Sequence, residues 1–312
     1  MSKKITIHVP ASSANLGPGF DVLGVALNLF NSVTFVVEGK NPMTASRPPV
    51  SVSIDIHGEG LGLLPRDKSN LVVRAAYRVF EKLKKWPIAL RVSQMNRIPL
   101  ARGMGSSAAA TIAGLCAANR LLGTPLSEQV LLDMAVDLEG HADNVVPALV
   151  GGFCVSGIVN RQTHYLKFNA PANLHAVLCI PEKLLPTSTA RRILPSRVPL
   201  TSAVFTSSRT AFLLGSIVQK RYDWLGFAME DVLHQPARAA LIPGLAAVIH
   251  EARNAGAWGA ALSGAGSSIV AFSKAGGAAK RVGQAMQRCF AQHGEPSRFV
   301  DLTLNNQGIR WR

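Results

Sequence analysis

Strand-like and helix-like patterns alternate through both halves of this chain, so it folds as a mixed helix-and-sheet protein. Residues 5–8 and 31–38 are rich in β-branched side chains, and residues 50–56 alternate Val or Ile with Ser or Asp, as a half-exposed strand does. Between the first two, residues 10–24 hold Ser12, Ser13, Asn15, Gly17, Pro18, Gly19 and Asp21, which predicts a loop. Asp67, Ser69 or Asn70 can cap a helix to about residue 85, because Leu71, Val72, Ala75, Ala76, Val79, Phe80 and Leu83 recur at helical spacing and Pro87 follows. Residues 88–92 read as a strand, 99–105 as a loop, and 106–122 as a helix of small residues stopped by Gly123. Ser127 and Glu128 open a further helix to about residue 139. Later, 153–159, 164–168 and 175–180 are strand-like, and 202–219, 224–233, 245–255 and 278–292 are helical.

With 312 residues, 48% hydrophobic and 16% charged, the chain is globular rather than disordered and long enough for two closely packed domains. No Pro- or Ser-rich linker separates them; a boundary near Arg161 divides the chain into 1–160 and 161–312. Lys and Arg outnumber Asp and Glu by 33 to 18, and the net charge of +15 favours anionic partners such as phosphates, nucleotides or nucleic acid. The four cysteines form no C-x-x-C pair and sit mostly in apolar stretches, which points to a reducing compartment, the cytoplasm. The apolar run after Lys3 and Lys4 is cut by His8 and Pro10, so no secretory segment is read. The run 145–159 is broken by Pro147 and Gly151-Gly152 and is shorter than the ~20 residues of a membrane helix, so no membrane partner is expected.

The loop Pro99-Leu100-Ala101-Arg102-Gly103-Met104-Gly105-Ser106-Ser107-Ala108 runs straight into the small-residue helix. Its glycines let the backbone come close to an anion, and the free amides and dipole of the first helical turn point at the same spot. Ser106 and Ser107 add hydroxyls for phosphate or Mg²⁺. The alternative is a tight turn with serine as an ordinary cap. A Walker A loop is excluded, since G-x-x-x-x-G-K-[ST] is absent. The match to G-x-G-x-x-A is opposed by Pro99 to Arg102, which separate the glycines from the preceding strand, and by Glu128 falling in a helix start, so that no strand ends in an acid about 20 residues on as a dinucleotide site needs.

Leu262-Ser263-Gly264-Ala265-Gly266-Ser267-Ser268 repeats the Gly and Ser pattern, but residues 268–272 are strand-like, so a tight loop between strands is read there. The cluster Glu139-Gly140-His141-Ala142-Asp143-Asn144-Val145-Val146-Pro147 places acids, an imidazole and an amide together at a helix end. Glu139 suits Mg²⁺, a hard cation; a capped helix terminus is the other reading. The histidines show no metal-ligand spacing, so structural zinc is not expected.

Three loops in order, Pro10-Ala11-Ser12-Ser13-Ala14-Asn15-Leu16-Gly17-Pro18-Gly19-Phe20-Asp21, residues 99–108 and residues 263–268, resemble the three motifs of the GHMP small-molecule kinases. Within that superfamily, residues 139–147, Thr187-Ser188-Thr189-Ala190-Arg191 and His234-Gln235-Pro236-Ala237-Arg238 resemble the homoserine kinases, and the resemblance spans residues 5 to about 275. Met104 replaces a more usual Leu, and Ser267 replaces a common Pro whose loss would loosen the third loop slightly.

The resemblance implies an α+β fold of two domains, a ribosomal-protein-S5-domain-2-like N-terminal half and a ferredoxin-like C-terminal half. It implies ATP-dependent phosphorylation of the L-homoserine hydroxyl to O-phospho-L-homoserine, a step towards threonine. In that reading residues 99–108 bind ATP with the amides of 103–107 on its phosphates, Asn70 contacts adenine, and Ser107 with Glu139 holds Mg²⁺. Arg191 and Arg238 take the substrate carboxylate, Asp21 or Asp143 its ammonium, Asn15, His141 and Asn144 surround the reacting hydroxyl, and Gly264 closes the site. Asn144 stands where some relatives have an aspartate base, so catalysis by positioning and charge neutralisation is expected, with His141 or Asp143 as base the less favoured option. A homodimer is an expectation of the resemblance alone.

Two other readings differ in class. A sister kinase acting on mevalonate or a sugar is distinguished by Arg191 and Arg238, because a sugar has no carboxylate. RNA binding through the S5-like half is opposed by the 6% aromatic content and the scattered basic residues, so no nucleic-acid partner is expected.

Overall fold

The computed structural model describes residues 3–37 and 51–312. Glu38 and Val50, each at the end of a predicted strand, lie outside the described residues. In chain order the elements are β1 (Lys3–Asn15), β2 (Gly19–Val37), β3 (Ser51–Gly58), α1 (Leu71–Leu83), β4 (Ala89–Asn96), α2 (Ser106–Leu121), α3 (Glu128–Glu139), α4 (Val145–Val150), β5 (Phe153–Val159) and β6 (Gln162–Phe168). There follow β7 (His175–Pro181), α5 (Thr187–Arg192), α6 (Leu200–Val218), α7 (Leu225–Ala228), α8 (Gln235–Arg238), α9 (Leu245–Asn254), β8 (Gly259–Leu262), β9 (Ile269–Ser273), α10 (Gly277–Gln292), β10 (Ser297–Thr303) and β11 (Arg310–Trp311).

The first sheet has the order β11-β1-β2-β4-β3, with β5 added to β2 and β6 to β5. Among the described residues only β3 and β4 run parallel, and α1 provides the crossover that parallel strands need. Strands β1 and β2 form a long hairpin joined by Leu16, Gly17 and Pro18 alone. The loop expected over 10–24 is therefore mostly paired strand, interrupted by register shifts at Pro10/Ala11 and Ala14/Asn15. Ser12, Ser13 and Asn15 are turn-type residues, but here they are buried and bonded to residues far along the chain, and those partners override the local preference.

Helix α2 is the central pillar of the first half, with 12 of its 16 residues buried. Small side chains allow this. A Cβ on Gly114 would stand 2.2 Å from the Val72 carbonyl oxygen and 2.7 Å from the Ala75 methyl, so α1 and α2 approach as closely as backbones can. Asn70 caps α1 through its side chain, Ser127 caps α3, and left-handed Gly140 ends α3. Helix α4, read from sequence only as an apolar run, tolerates Pro147 because its missing N–H falls in the first turn.

The second sheet, order β10-β7-β9-β8, is antiparallel and is covered on one face by α9 and α10. Strands β7, β8 and β9 are buried on both faces, and β10 is the half-exposed edge. Ala176, Leu178 and Ile180 of β7 join the core of the first half, while Val177 and Cys179 pack with Val248, Val282 and Met286 under the helices. Phe272 meets Phe153 with ring centroids 5.8 Å apart across the junction. The four cysteines are buried and free; burial pushes the thiols of Cys116 and Cys154 up to about 12, which leaves them inert.

The expected boundary at 160/161 falls at the tip of the β5–β6 hairpin, where Asn160 and Arg161 take the left-handed conformation of a tight turn. Residues 162–168 thus continue the first sheet, and the last residues of the chain return to it as β11 beside β1. The helix expected over 224–233 stops at Ala228, because Asp231 turns the chain by accepting hydrogen bonds from the amides of Leu233, His234 and Gln235. Among the described residues no helix is long and apolar enough to cross a membrane.

Replacing Gly114 with Ala should lower the unfolding free energy by about 1–3 kcal/mol, the usual cost of overpacking, and leave the fold intact. Urea denaturation measures this, and an unchanged midpoint would mean that α1 and α2 can separate freely.

Candidate active site

Three segments far apart in sequence converge through hydrogen bonds. The Gly264 amide donates to the Ala14 carbonyl (3.0 Å), and the Gly264 carbonyl accepts from Asn15 Nδ2 (2.9 Å) and Arg238 Nη1 (3.0 Å). Ser263 Oγ lies 2.6 Å from the Gly103 carbonyl and 2.8 Å from Ser13 Oγ, so Ser263 donates to Gly103 and accepts from Ser13. The Ser12 amide donates to the Met104 carbonyl (3.2 Å), and the Ser268 amide to that of Arg102 (3.2 Å). Ser267, expected to loosen its loop, donates to the Lys183 carbonyl at 2.9 Å and so ties it down.

This packing leaves no room for side chains at two glycines. A Cβ on Gly103 would meet the Ser263 carbonyl oxygen at 1.9 Å, one on Gly105 would meet Ser12 Oγ at 2.2 Å, and both residues have φ near +70°. No side chain caps the first turn of α2, so its leading amides remain available to an anion. Arg102, by contrast, is spent on structure. It donates from Nε to Pro181 (2.7 Å) and from Nη2 to Glu182 (2.6 Å), clamping the loop to the end of β7.

Behind Ser107, the carboxylate of Glu139 accepts from Ser107 Oγ (2.7 Å) and Thr111 Oγ1 (2.6 Å). Farther along, His141 Nδ1 lies 2.6 Å from Asp143 Oδ1, and Ser12 Oγ donates to Asn144 Oδ1 at 2.9 Å. Burial alone would pull the His141 pKa down, but the hydrogen bond and charge of Asp143 outweigh it and hold the imidazole above its ordinary value.

Two arginines are held in different ways. Arg191 pairs with both oxygens of Asp21, at 2.9 and 2.6 Å, and each side chain keeps about 35% of its surface exposed. The bond to Asp21 raises its pKa. Arg238 is fully buried and, among the described residues, bonded to neutral acceptors only: the Ala190 carbonyl (3.2 Å), the Gly264 carbonyl and His234 Nδ1 (3.0 Å). Burial, helped by the charge of Arg191, lowers its pKa to about 10, so it stays charged at neutral pH. The ring of Phe20 lies 5.6 Å from the Arg191 guanidinium and 5.4 Å from that of Arg238.

One cavity of about 470 Å³ collects nearly all of the candidate residues. Asn15, Asp21, Asn70, residues 99–107, His141, Asp143, Asn144, Arg191, Arg238 and Gly264 line it. Ala108 is packed into the core instead, and Glu139 stands one layer back behind Ser107. Asn70 Oδ1 already accepts from the Val72 amide (3.0 Å) and Gln94 Nε2 (2.9 Å), and Nδ2 donates to Pro65 (2.9 Å), so one amide hydrogen is left for a ligand. The sequence reading missed Leu63, Leu64, Gln94, Asn96, Leu184, Thr187 and Ala265 in the lining. It also missed the supporting bonds of Ser12, Ser13, Ser263 and His234; only their place inside the quoted motifs could have signalled them.

The fold and the three bonded loops define a GHMP kinase. The model of the GHMP kinases N terminal domain matches residues 70–152, and that of the GHMP kinases C terminal matches residues 213–292. Within that class the chain belongs to the homoserine kinase family. It is 43% identical over 304 residues to the homoserine kinase of Carboxydothermus hydrogenoformans, covering 97% of this chain and 95% of that protein. It is 42% identical over 302 residues to that of Moorella thermoacetica, covering 97% and 98%. The crystal structure of homoserine kinase from Cytophaga hutchinsonii superposes with a TM-score of 0.86 at 34% identity, covering 99% of this chain and 97% of that one.

The raised His141 pKa makes stability depend on pH. Its contribution is fully present below the unfolded value near 6.5 and is lost as pH rises through the higher folded value. Denaturation of wild type and His141→Gln from about pH 5.5 to about pH 8.5 should show a stability gap that is widest at the acid end and narrows upward. A gap independent of pH would mean that the imidazole carries no charge in this pair.

Proposed function

We infer that the chain transfers the γ-phosphoryl group of ATP to the side-chain hydroxyl of L-homoserine, giving ADP and O-phospho-L-homoserine on the way to threonine. The observation that carries this reading is the charge layout of the cavity. Arg238 is a buried cation that hydrogen-bonds no carboxylate among the described residues, with Asp21, Asp231 and Asp143 acting on it only from farther away, and beside it Arg191 and Asp21 form a partly exposed pair of opposite charges. A buried unpaired charge is costly, so an anionic ligand group is the natural complement of Arg238. An amino acid brings a carboxylate for the arginines and an ammonium for Asp21, with both of its charges on one carbon. Membership of the homoserine kinase family supports the same acceptor.

ATP would place its phosphates on the leading amides of α2, where left-handed Gly103 and Gly105 bring the backbone close. Leu63, Leu64 and the remaining hydrogen of Asn70 suit an adenine ring. The donor set also fits Mg²⁺: Glu139 with the hydroxyls of Ser107 and Thr111 offers hard oxygens. No cluster of three or more His, Cys, Asp or Glu among the described residues forms a complete protein cage, so the ion would be shared with phosphate oxygens. Magnesium, when bound, supplies charge neutralisation at those phosphates.

The residues around the acceptor position rather than deprotonate it. Asn144 cannot take a proton, and its Oδ1 is oriented by Ser12. Asp143 holds His141 at Nδ1, and we assign the ring to orienting the acceptor oxygen. The hydroxyl proton therefore leaves to a phosphate oxygen or to water, while Asn15, Asn144 and His141 fix the attacking oxygen.

A coupled ADP-release assay with ATP and Mg²⁺ against L-homoserine, mevalonate, galactose and L-serine tests the reading. Release with L-homoserine alone is expected; preference for mevalonate, a carboxylate without an ammonium, would keep the kinase and remove the amino-acid acceptor. Arg238→Leu should raise KM for L-homoserine by roughly ten- to hundredfold with little change for ATP, the scale of a lost hydrogen bond to a charged group. Glu139→Ala should lose turnover that excess Mg²⁺ restores only in part, and near-normal activity would remove Glu139 as the metal ligand.

A further inference from the structure

The neighbours of His234 accept only one protonation state. Nε2 lies 2.8 Å from the Gly17 carbonyl, which can only accept, and Nδ1 lies 3.0 Å from Arg238 Nη1, which can only donate. The ring is therefore neutral, with its hydrogen on Nε2. It is 1% exposed and packs against Phe20 with centroids 5.2 Å apart, so it has no freedom to turn. Through these bonds it links the β1–β2 turn to Arg238. With Nε of Arg238 on Ala190 and Nη1 shared by His234 and Gly264, Nη2 has no partner among the described residues, and Arg238 lines the cavity.

We propose that His234 is a positioning residue for the acceptor: as the neutral Nε2–H tautomer it holds Arg238 with Nη2 left for the substrate carboxylate, and protonation of the ring releases that arginine. The inference rests on the reading of Arg238 given above. A proton on Nδ1 would replace an acceptor by a donor facing a guanidinium, adding a repulsion between two buried cations. The charged groups around the ring oppose one another. Asp231 Oδ2, 3.5 Å from Nε2, and the more distant Asp21 favour protonation, whereas Arg238 resists it. Three backbone amides already occupy the Asp231 carboxylate. Burial adds to the resistance and keeps the His234 pKa below its ordinary value.

The consequence is specific to one substrate. As pH falls, KM for the acceptor should climb while KM for ATP stays level. His234→Leu removes the acceptor atom and should raise KM for L-homoserine roughly tenfold or more at neutral pH, with kcat changed much less. His234→Asn keeps an acceptor oxygen near the Nδ1 position without a titrating ring; it should recover most of that loss and flatten the acid rise in acceptor KM. Equal damage in both variants, or matching changes in KM for ATP, would make His234 a packing residue and overturn the proposal. Nitrogen-15 NMR of the histidine rings in the wild-type chain without substrate gives an independent reading. The Nε2–H signature at neutral pH is expected, and an Nδ1–H or doubly protonated ring overturns the proposal whatever the acceptor. If the wild type ignores L-homoserine while the tautomer is as described, the acceptor assignment fails and the positioning of Arg238 by His234 stands.

Discussion

The backbone N–H and carbonyl of Gly264 tie the two halves of the chain together at the site. Its N–H reaches β1, and its carbonyl takes one bond from Asn15 and one from Arg238, so a single loop between β8 and β9 fixes the hairpin turn and a buried guanidinium at once. Ser263 next to it fixes the glycine-rich loop before α2. These contacts are short-range and directional, which is why left-handed glycines and small hydroxyls recur in all three segments. The positions of the α2 amides, of Asn15 and of Arg238 are thus consequences of one knot of backbone hydrogen bonds.

Charge is handled on two scales around that knot. Arg191 finds a carboxylate within the protein and stays half-open to solvent, a pair that a ligand can join or divide. Arg238 is given carbonyls and an imidazole instead, which orient it without cancelling its charge. The second arrangement is the more demanding, because every acceptor has to be neutral and rigidly placed. Asp231 accordingly bonds the backbone amides at the start of α8 and not the guanidinium.

Much of this was legible in the residues alone. The Gly and Ser content of 99–108 before a helix of small residues marks the loop that lines the cavity, and the helical spacing of Leu71, Val72, Ala75 and Ala76 locates α1. Local pattern failed where a polar side chain has a distant partner. Ser12, Ser13 and Asn15 look like a loop but lie in strands, because their partners are Asn144, Ser263 and Gly264. Residues 224–233 look helical, but Asp231 breaks the helix through its own carboxylate. The tautomer of His234 is set by two groups in different segments, and no periodicity carries that information.

Strand β11 pairs with β1, and Leu304 bridges Leu27, so segments some three hundred residues apart lie side by side in the first sheet. An unpaired strand edge is a template for any other extended peptide. The pairs Ile7–Trp311 and His8–Arg310 cover part of that edge on β1, and parting them would leave it open to association between chains.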